Sequence, residues 1–314
     1  LAITILSPLL HLFLAMVDLV DRRNWRFTRV GGLGIAFCVV EVFGLAMAFI
    51  IWVGSGFGLW MRTEPFRRLN MWVLDMWLEM ITRAIRAFIG FDFAFPSDDL
   101  MTGPVLVFSR HAGPGDALLV ARSLTRDHGR RLRMLGTTKL LWDPFFNHLV
   151  NRLPFYFCEP NPRDPADQLR ELRSAVASIE EDGAMIIFPE GGNFTPRRQK
   201  AALDRLAERG DDHLERAAKM RHVLPPRTGG TLAALEAAMT AHILFVAHVG
   251  LDDLLSLSDI WHNVPLNRTV QATYWYAERK PGQTSRAEMV DWLYDQWEQV
   301  DEWIEKESSS VFGE

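Results

Sequence analysis

The sequence predicts an α/β protein, with a largely parallel sheet covered by helices and an N-terminal helical membrane anchor. Two observations lead to this fold class. From about residue 92 onward, short β-rich runs alternate with helical stretches, and such alternation is typical of parallel strands joined by helices. Before that point the chain is strongly apolar, and its first 60 residues hold much of the 48% hydrophobic content. A chain of 314 residues is long enough for one such domain and an N-terminal segment.

The α/β domain is predicted to span residues 92–314. Apolar and β-branched runs predict strands at 104–109, 131–136, 154–159, 184–190, 242–249 and 269–277. Helical spacing of apolar residues predicts helices at 114–127, 143–152, 165–181, 196–219, 229–240 and 284–306. Most strands are followed by a helix, as the crossover between parallel strands requires.

Residues 1–60 are predicted to form membrane-anchoring helices. An apolar block at 1–20 precedes a basic loop at 21–29, and a second apolar run at 30–60 has Glu41 as its one charge. The second run exceeds the ~20 residues that cross a bilayer. Arginines flank it on both sides, so the positive-inside rule draws both ends to the cytoplasm. Two arrangements stay open: a helical hairpin that enters one leaflet and returns, or two spans with a basic external loop.

Residues 61–91 are predicted to form an amphipathic interfacial helix. Trp72 and Trp77 lie on its apolar side at helical spacing, directly after the membrane segment. These features together predict a protein of the cell membrane, with the α/β domain on the cytoplasmic face.

The composition argues against several classes of function. A net charge of −5 and a pI of about 6.0 do not favour nucleic acid as a partner. The sequence has no HExxH motif, no paired CxxC motif and no Walker lysine. We therefore expect neither a metal site nor nucleotide hydrolysis.

The first motif with chemical content is SRHAGPGD, residues 109–116. A predicted strand leads to His111 in a Gly/Pro turn, and Asp116 follows where a helix begins. Histidine suits general-base chemistry because its pKa lies near neutrality. A carboxylate against the other ring nitrogen would fix the tautomer and stabilise the imidazolium. A second pair with the same spacing, His248 and Asp253, occurs later in the chain, so the neighbouring motifs must identify the functional pair.

Three further blocks follow His111: KLLWDPFFNHL at 139–149, FPEGGNFTPRR at 188–198 and VLPPRTGG at 223–230. The order and spacing of the four blocks resemble the glycerolipid acyltransferase family, whose best-known members are the 1-acylglycerol-3-phosphate acyltransferases. The longer blocks are similar to the branch that contains lysocardiolipin acyltransferases. The resemblance spans about residues 104–250. His248 follows the FPEG block, which is the wrong order for this family, and is interpreted as structural.

The resemblance implies an enzyme that moves a fatty acyl group from acyl-CoA or acyl carrier protein to the free hydroxyl of a lysoglycerolipid. It implies His111 and Asp116 as the catalytic pair. Its expected partners are membrane lipids and the acyl thioester donor, with no cofactor besides that donor. The residues assigned to substrate binding are Arg110, Lys139, Glu190, Gly191, Gly192, Asn193, Pro226 and Arg227.

One position departs from the family pattern. The family's usual Gly-Thr-Arg is Gly191-Gly192-Asn193 here, and a neutral asparagine cannot form a bidentate, charge-assisted pair with an acceptor phosphate. We expect 1-acylglycerol-3-phosphate as the acceptor, giving phosphatidate; the alternative is another lysophospholipid or a glycolipid. The candidates for the missing charge are Arg110, Lys139, Arg197, Arg198 and Arg227.

Two functions of other classes compete with this one. A non-catalytic lipid-binding protein with the same fold would keep its function after His111→Ala. A hydrolase would use water at the same base, although no serine or cysteine lies in a nucleophile-elbow context.

Overall fold

A computed structural model describes residues 2–21, 25–113, 115–136, 138–159, 162–252, 254, 257–278 and 285–312. Within these residues one seven-stranded sheet has the order β1-β7-β6-β2-β5-β3-β4. Strands β2 to β6 are parallel to one another, whereas β7 is antiparallel to β6 and β1 runs with β7. The predicted α/β class with a largely parallel sheet is confirmed. The strands are β1 Phe91–Ala94, β2 Val105–Ser109, β3 Arg131–Gly136, β4 Tyr156–Phe157, β5 Gly183–Ile187, β6 His242–Val249 and β7 Arg268–Tyr276.

The helices precede the sheet or cover its two faces. Two π-helical turns, Arg86–Gly90 and Ser123–Asp127, extend the third and fourth helices. The α-helices in the described residues are α1 Ala2–Asp21, α2 Arg26–Gly54, α3 Glu64–Ile85, α4 Asp116–Arg122, α5 Pro144–Leu149, α6 Pro165–Ala177, α7 Pro196–Glu208, α8 Leu214–Lys219, α9 Thr228–Ala237, α10 Leu257–Asn263 and α11 Arg286–Phe312.

Most predicted elements are present, and two of the differences have a clear physical cause. The single helix predicted at 196–219 is wrong, because the chain breaks it into α7 and α8. Gly210 has a φ of +61°, a backbone conformation that glycine adopts easily and that ends helices. Strand β1 is not predicted by the sequence. It is a short edge strand of four residues that pairs, in parallel, with β7.

Strand β2 shows how the core is divided between two layers. Leu106 and Phe108 pack in a cluster with Trp297 of α11 and with residues of α6 and α9. Val107, pointing to the other face, packs in a cluster with Trp77 of α3 and with residues of α2 and α5. Because successive strand residues face opposite sides, a sheet covered on both faces has continuously apolar strands. This is why the strand signal in the sequence is clear.

Helix α2 is, by length and composition, long and apolar enough to cross a membrane. One stripe of it nevertheless packs against the α/β domain. Glu41 accepts hydrogen bonds from Nε1 of Trp77 at 3.0 Å and from the amide of Phe145 at 3.3 Å. Arg152 donates to the carbonyl oxygen of Ala48 at 2.8 Å. The C-terminal half of α2 is therefore joined to the domain by polar as well as apolar contacts.

The amphipathic segment predicted at 61–91 is α3 with its π-helical turn. Its two central tryptophans have different environments. Trp77 is buried, and its ring stacks on Phe145 with 5.6 Å between centroids. Trp72 is exposed. An interfacial role for the exposed side of α3 stays a prediction.

Gly44 is expected to be a close-packing position of α2. A Cβ atom there would lie 2.6 Å from Cδ2 of the buried Phe145, whereas at Gly34 of the same helix it would meet nothing within 4 Å among the described residues. Both Gly→Ala changes add the same helix propensity. Gly44→Ala should therefore lower the free energy of unfolding by about 1–3 kcal/mol relative to Gly34→Ala. Chemical denaturation measures this difference; equal stabilities would contradict close packing of α2 on α5.

Candidate active site

The predicted functional residues meet at the carboxyl edge of the sheet, between β2 and β5. These strands are parallel neighbours, and Phe108 is in register with Ile187. His111 comes shortly after β2, and Glu190 comes shortly after β5. Because parallel strands end at the same edge, the two turns lie side by side. Ligands of open α/β sheets bind at this edge.

His111 and Asp116 form a hydrogen-bonded pair. Nδ1 of His111 lies 3.0 Å from Oδ1 and 3.1 Å from Oδ2 of Asp116. The Asp116 side chain is 0% exposed, whereas that of His111 is 23% exposed. Asp116 also accepts the amide hydrogens of Gly113 at 3.0 Å and Ala117 at 2.6 Å. The carboxylate is thus fixed, and Nε2 on the far side of the His111 ring is left to exchange a proton.

The pKa values of the pair are shifted in opposite directions. Burial works to lower the pKa of His111, but the hydrogen bond and charge of Asp116, with the charge of Glu190, outweigh it and raise that pKa. Burial works to raise the pKa of Asp116, but its hydrogen bond to His111 and the charge of that ring lower it. Asp116 is therefore the ionised partner, and Nδ1 of His111 carries the hydrogen between them.

Glu190 connects the turn after β2 with the segment before α9. Its Oε1 accepts the amide hydrogen of His111 at 2.7 Å, and its Oε2 accepts that of Leu224 at 2.9 Å. Burial raises the pKa of Glu190 to about 7, against the opposite effect of these hydrogen bonds. Behind this contact, the His111 ring packs on Phe188 with 4.6 Å between centroids. Glu190 therefore shapes the site by holding the main chain of His111, with both oxygens turned to protein amides.

The turn Gly191-Gly192-Asn193 lies against two guanidinium groups. Gly191 has a φ of +66°, and a Cβ atom there would lie 2.6 Å from Nε of Arg227. A Cβ atom at Gly192 would lie 3.3 Å from Nη1 of Arg198. Arg198 donates to the carbonyl oxygen of Asn193 at 2.9 Å and also to its side-chain oxygen. The glycines thus leave room for two arginines, and Arg198 brings a positive charge to the position where the family pattern has its arginine.

A cleft of about 660 Å³ opens beside this turn, lined by Asn193, Thr195, Arg197, Arg198 and Ala201. In the part of the chain that the structure describes, no carboxylate forms a salt bridge with either arginine of the cleft. The charge of Arg198 also reaches His111, where it works to lower the pKa. The arrangement suits an anionic ligand held next to the histidine.

Arg110 does not lie at this cleft, which corrects its predicted contact with substrate. Its guanidinium is buried and donates to the carbonyl oxygens of His222 at 3.0 Å and His248 at 2.7 Å. It also pairs with the carboxylate of Asp252. Its charge is therefore used to hold three segments of the protein together.

The remaining residues assigned to substrate binding are Pro226, Arg227 and Lys139. Pro226 is buried, and the amide of Arg227 donates to the carbonyl oxygen of Pro189 at 2.8 Å. This contact brings the fourth sequence block against the FPEG turn. The side chain of Lys139 lies outside the described residues, so its assignment stays a prediction.

Sequence reasoning missed one neighbour of the pair. Nε2 of His248 lies 3.6 Å from Oδ2 of Asp116. The other member of its sequence pair, Asp253, lies outside the described residues. The pairing of β6 with β2 explains the contact, because Val246 is in register with Ser109 and His248 is therefore level with the start of the turn that contains His111.

A buried carboxylate that orients a partly exposed histidine is an arrangement suited to general-base chemistry. The sequence profile described as Acyltransferase matches residues 93–249, half of the chain, from within β1 to the end of β6. The protein belongs to this acyltransferase family, as its motifs predict.

A solved structure with a similar fold is the crystal structure of the 1-acyl-sn-glycerophosphate (LPA) acyltransferase PlsC from Thermotoga maritima. The match has a TM-score of 0.50 and 15% sequence identity, and covers 85% of this chain and 97% of that chain. At this identity the likeness supports the fold. A comparison with curated protein sequences gives no match.

Asp116→Asn is expected to lower the pKa of the His111 imidazole. In this variant the burial of His111 still disfavours its imidazolium form, and the Asp116 carboxylate that outweighs this effect in the wild type is absent. NMR titration of the ring measures the change. As a control, Asp211→Asn removes a carboxylate 3.1 Å from the ring of His213 and should leave the His111 titration unaltered. An unchanged His111 pKa in Asp116→Asn would contradict the pairing.

Proposed function

We propose that the protein transfers a fatty acyl group from acyl-CoA or acyl carrier protein to the free hydroxyl of a lysoglycerolipid at a membrane surface. The proposed acceptor is 1-acylglycerol-3-phosphate, and the product is phosphatidate. The observation that carries the proposal is the His111–Asp116 pair beside a cleft lined by two arginines that form no salt bridge with a carboxylate among the described residues. The acyltransferase family supports the reaction class.

The proposed reaction is a general-base transfer. Nε2 of His111 takes the proton of the acceptor hydroxyl as its oxygen attacks the thioester carbonyl carbon. The tetrahedral intermediate collapses, the carbon–sulfur bond breaks, and the leaving thiolate receives the proton from the imidazolium. Asp116 stabilises the imidazolium through Nδ1–H and takes no proton itself. The ester bond formed replaces the thioester bond broken, so no further reactant is needed.

Backbone amides are proposed to stabilise the developing oxyanion. The amide of Gly113 already donates to Asp116 at 3.0 Å, and that of Gly191 donates to the carbonyl oxygen of Phe188 at 3.0 Å. The amides of Gly115 and Gly192, in the same two turns, are therefore the proposed donors.

Arg198 is proposed to bind the acceptor phosphate, with Arg227 as a second cation. Arg198 is hydrogen-bonded to Asn193 and lines the cleft, and its charge acts on His111. A guanidinium in this position can make the bidentate phosphate contact that Asn193 cannot make. Because the charge comes from α7 rather than from the turn itself, another lysophospholipid or a glycolipid stays the alternative acceptor.

The N-terminal region is proposed to rest in one leaflet of the cell membrane, with the catalytic residues at its cytoplasmic face. Large apolar side chains are exposed along α1, on the outer side of α2 and in the loop after it, including Leu59 and Trp60. Exposing so much apolar surface to water is unfavourable, and we therefore propose that lipid covers it. The polar contacts of Glu41 and Ala48 with the domain favour a hairpin over two spans, since they keep α2 alongside the domain.

The reaction is tested with the full chain, radiolabelled acyl-CoA and vesicles that contain one acceptor each: lysophosphatidate, lysophosphatidylcholine or monoacylglycerol. His111→Ala should lower acyl transfer about 10²–10⁴-fold with every acceptor that is used. Full retention of the rate would indicate that the histidine is not the base. Release of fatty acid without esterified product would indicate a hydrolase.

The proposed phosphate contact makes a separate prediction. Arg198→Ala should raise KM for lysophosphatidate about tenfold or more, because a charge-assisted hydrogen bond is lost, and should change transfer to monoacylglycerol little. Arg209→Ala, which removes an exposed arginine after the last turn of α7, is the matched control. Equal effects of Arg198→Ala on both acceptors would contradict a phosphate-binding role.

Membrane binding is tested by placing a charge on the exposed loop after α2. Leu59 is 84% exposed, and Met239, between α9 and β6, is 80% exposed. Leu59→Asp should reduce binding to vesicles about tenfold or more, since a buried leucine contributes about 1.5–3 kcal/mol. Met239→Asp should leave binding unchanged. Vesicle flotation compares the two; an equal loss, or no loss, would contradict the proposed membrane surface.

A further inference from the structure

His248 lies behind the catalytic carboxylate, in the core of the protein. It belongs to β6 and is 1% exposed, so it cannot contact a substrate in the cleft. Its Nε2 lies 3.2 Å from the carbonyl oxygen of Arg110 and 3.6 Å from Oδ2 of Asp116. Asp116 therefore lies between two imidazoles, with His111 at hydrogen-bond distance and His248 slightly farther away.

The surroundings of His248 determine which ring nitrogen carries its hydrogen. Both groups near Nε2 are acceptors, a carbonyl oxygen and a carboxylate, so Nε2 must be the donor. Nδ1 is buried and has no hydrogen-bond partner among the described residues. An imidazolium would leave a second N–H buried and unpaired there, at a cost of about 1–3 kcal/mol. The ring is therefore neutral, with its hydrogen on Nε2. Its pKa is lowered, by burial above all.

The charged groups that face His248 are Asp116, Arg110 and Asp252. Arg110 pairs with Asp252 and donates to the carbonyl oxygen of His248 at 2.7 Å. This guanidinium fixes the backbone of β6 next to the ring. Since Arg110 and Asp252 balance each other, Asp116 is the unbalanced charge that the Nε2–H dipole of His248 meets.

We propose that His248 is a positioning residue for the transfer reaction: its neutral Nε2–H, which donates to the carbonyl oxygen of Arg110 and lies 3.6 Å from Oδ2 of Asp116, offsets part of the carboxylate's charge at His111. The consequence is a base that is weaker than a His–Asp pair alone would provide. A weaker base is deprotonated, and so ready to accept a proton, at lower pH. The effect on acyl transfer rests on the proposed function, whereas the effect on His111 does not.

The test compares His248→Met with His248→Gln. Glutamine places an amide donor near the position of Nε2, and methionine has a similar length without a donor. Without the dipole, the charge of Asp116 acts more strongly on His111. In His248→Met the His111 pKa should therefore rise by roughly half a unit, and the acid limb of the kcat/KM profile should move to higher pH with it. His248→Gln should stay close to the wild type in both measurements.

A role in packing alone predicts a different result. The two variants would then lower thermal stability and leave the His111 pKa unchanged, which would overturn the proposal. The NMR titration of His111 needs no substrate, so a shifted pKa without acyl transfer would count against the proposed function and not against His248.

If neither variant folds, the tautomer of His248 can be measured in the wild-type protein instead. The ¹⁵N chemical shifts of the two ring nitrogens distinguish the neutral tautomers from the imidazolium. His248 should be neutral with its hydrogen on Nε2 throughout the titration of His111. A hydrogen on Nδ1, or an imidazolium in that range, would overturn the proposal.

Discussion

The parallel pairing of β2 with β5 is the constraint on which the site depends. It brings the turn that contains His111 and the turn that contains Glu190 to the same edge of the sheet. Glu190 then joins the two turns by a hydrogen bond to the His111 amide. The position of the imidazole is thus determined by main-chain geometry before any side chain of the cleft acts. Substitutions in the cleft are therefore expected to leave the imidazole in place, so that under the proposed function they would alter the choice of acceptor and not the position of the base.

Two arginines near this edge of the sheet have different functions, and the difference follows from how deeply each side chain is buried. Arg110 is buried, and its guanidinium donates hydrogen bonds to two carbonyl oxygens and forms a salt bridge with Asp252. Arg198 is exposed and holds the loop at Asn193 while keeping its charge at the cleft. An enclosed guanidinium with three acceptors stabilises the fold, and an exposed one without a carboxylate can bind an anion. The two positions illustrate why an arginine next to the His111–Asp116 motif in the sequence is not evidence of substrate contact.

The sequence predicts the parts of this structure that local patterns determine. Strands β3 and β6 match their predicted ends. In β6 the reason is a nearly continuous apolar run that is buried on both faces of the sheet. The His111–Asp116 contact follows from a short turn. The role of Arg110 depends on acceptors more than 100 positions away in the sequence, and the contact of His248 depends on the pairing of β6 with β2. No pattern local to either residue contains that information.

The contacts of Glu41 have a consequence for how the N-terminal region can vary. Its carboxylate satisfies the Trp77 indole and the Phe145 amide, both of which belong to the core that supports the sheet. A chimaera in which an unrelated hydrophobic helix replaced α2 could still reach a bilayer, yet it would leave these two donors buried and unpaired. Helix α2, proposed above to rest in lipid, is thus also a structural component of the α/β domain. We expect the two to have been selected as one unit.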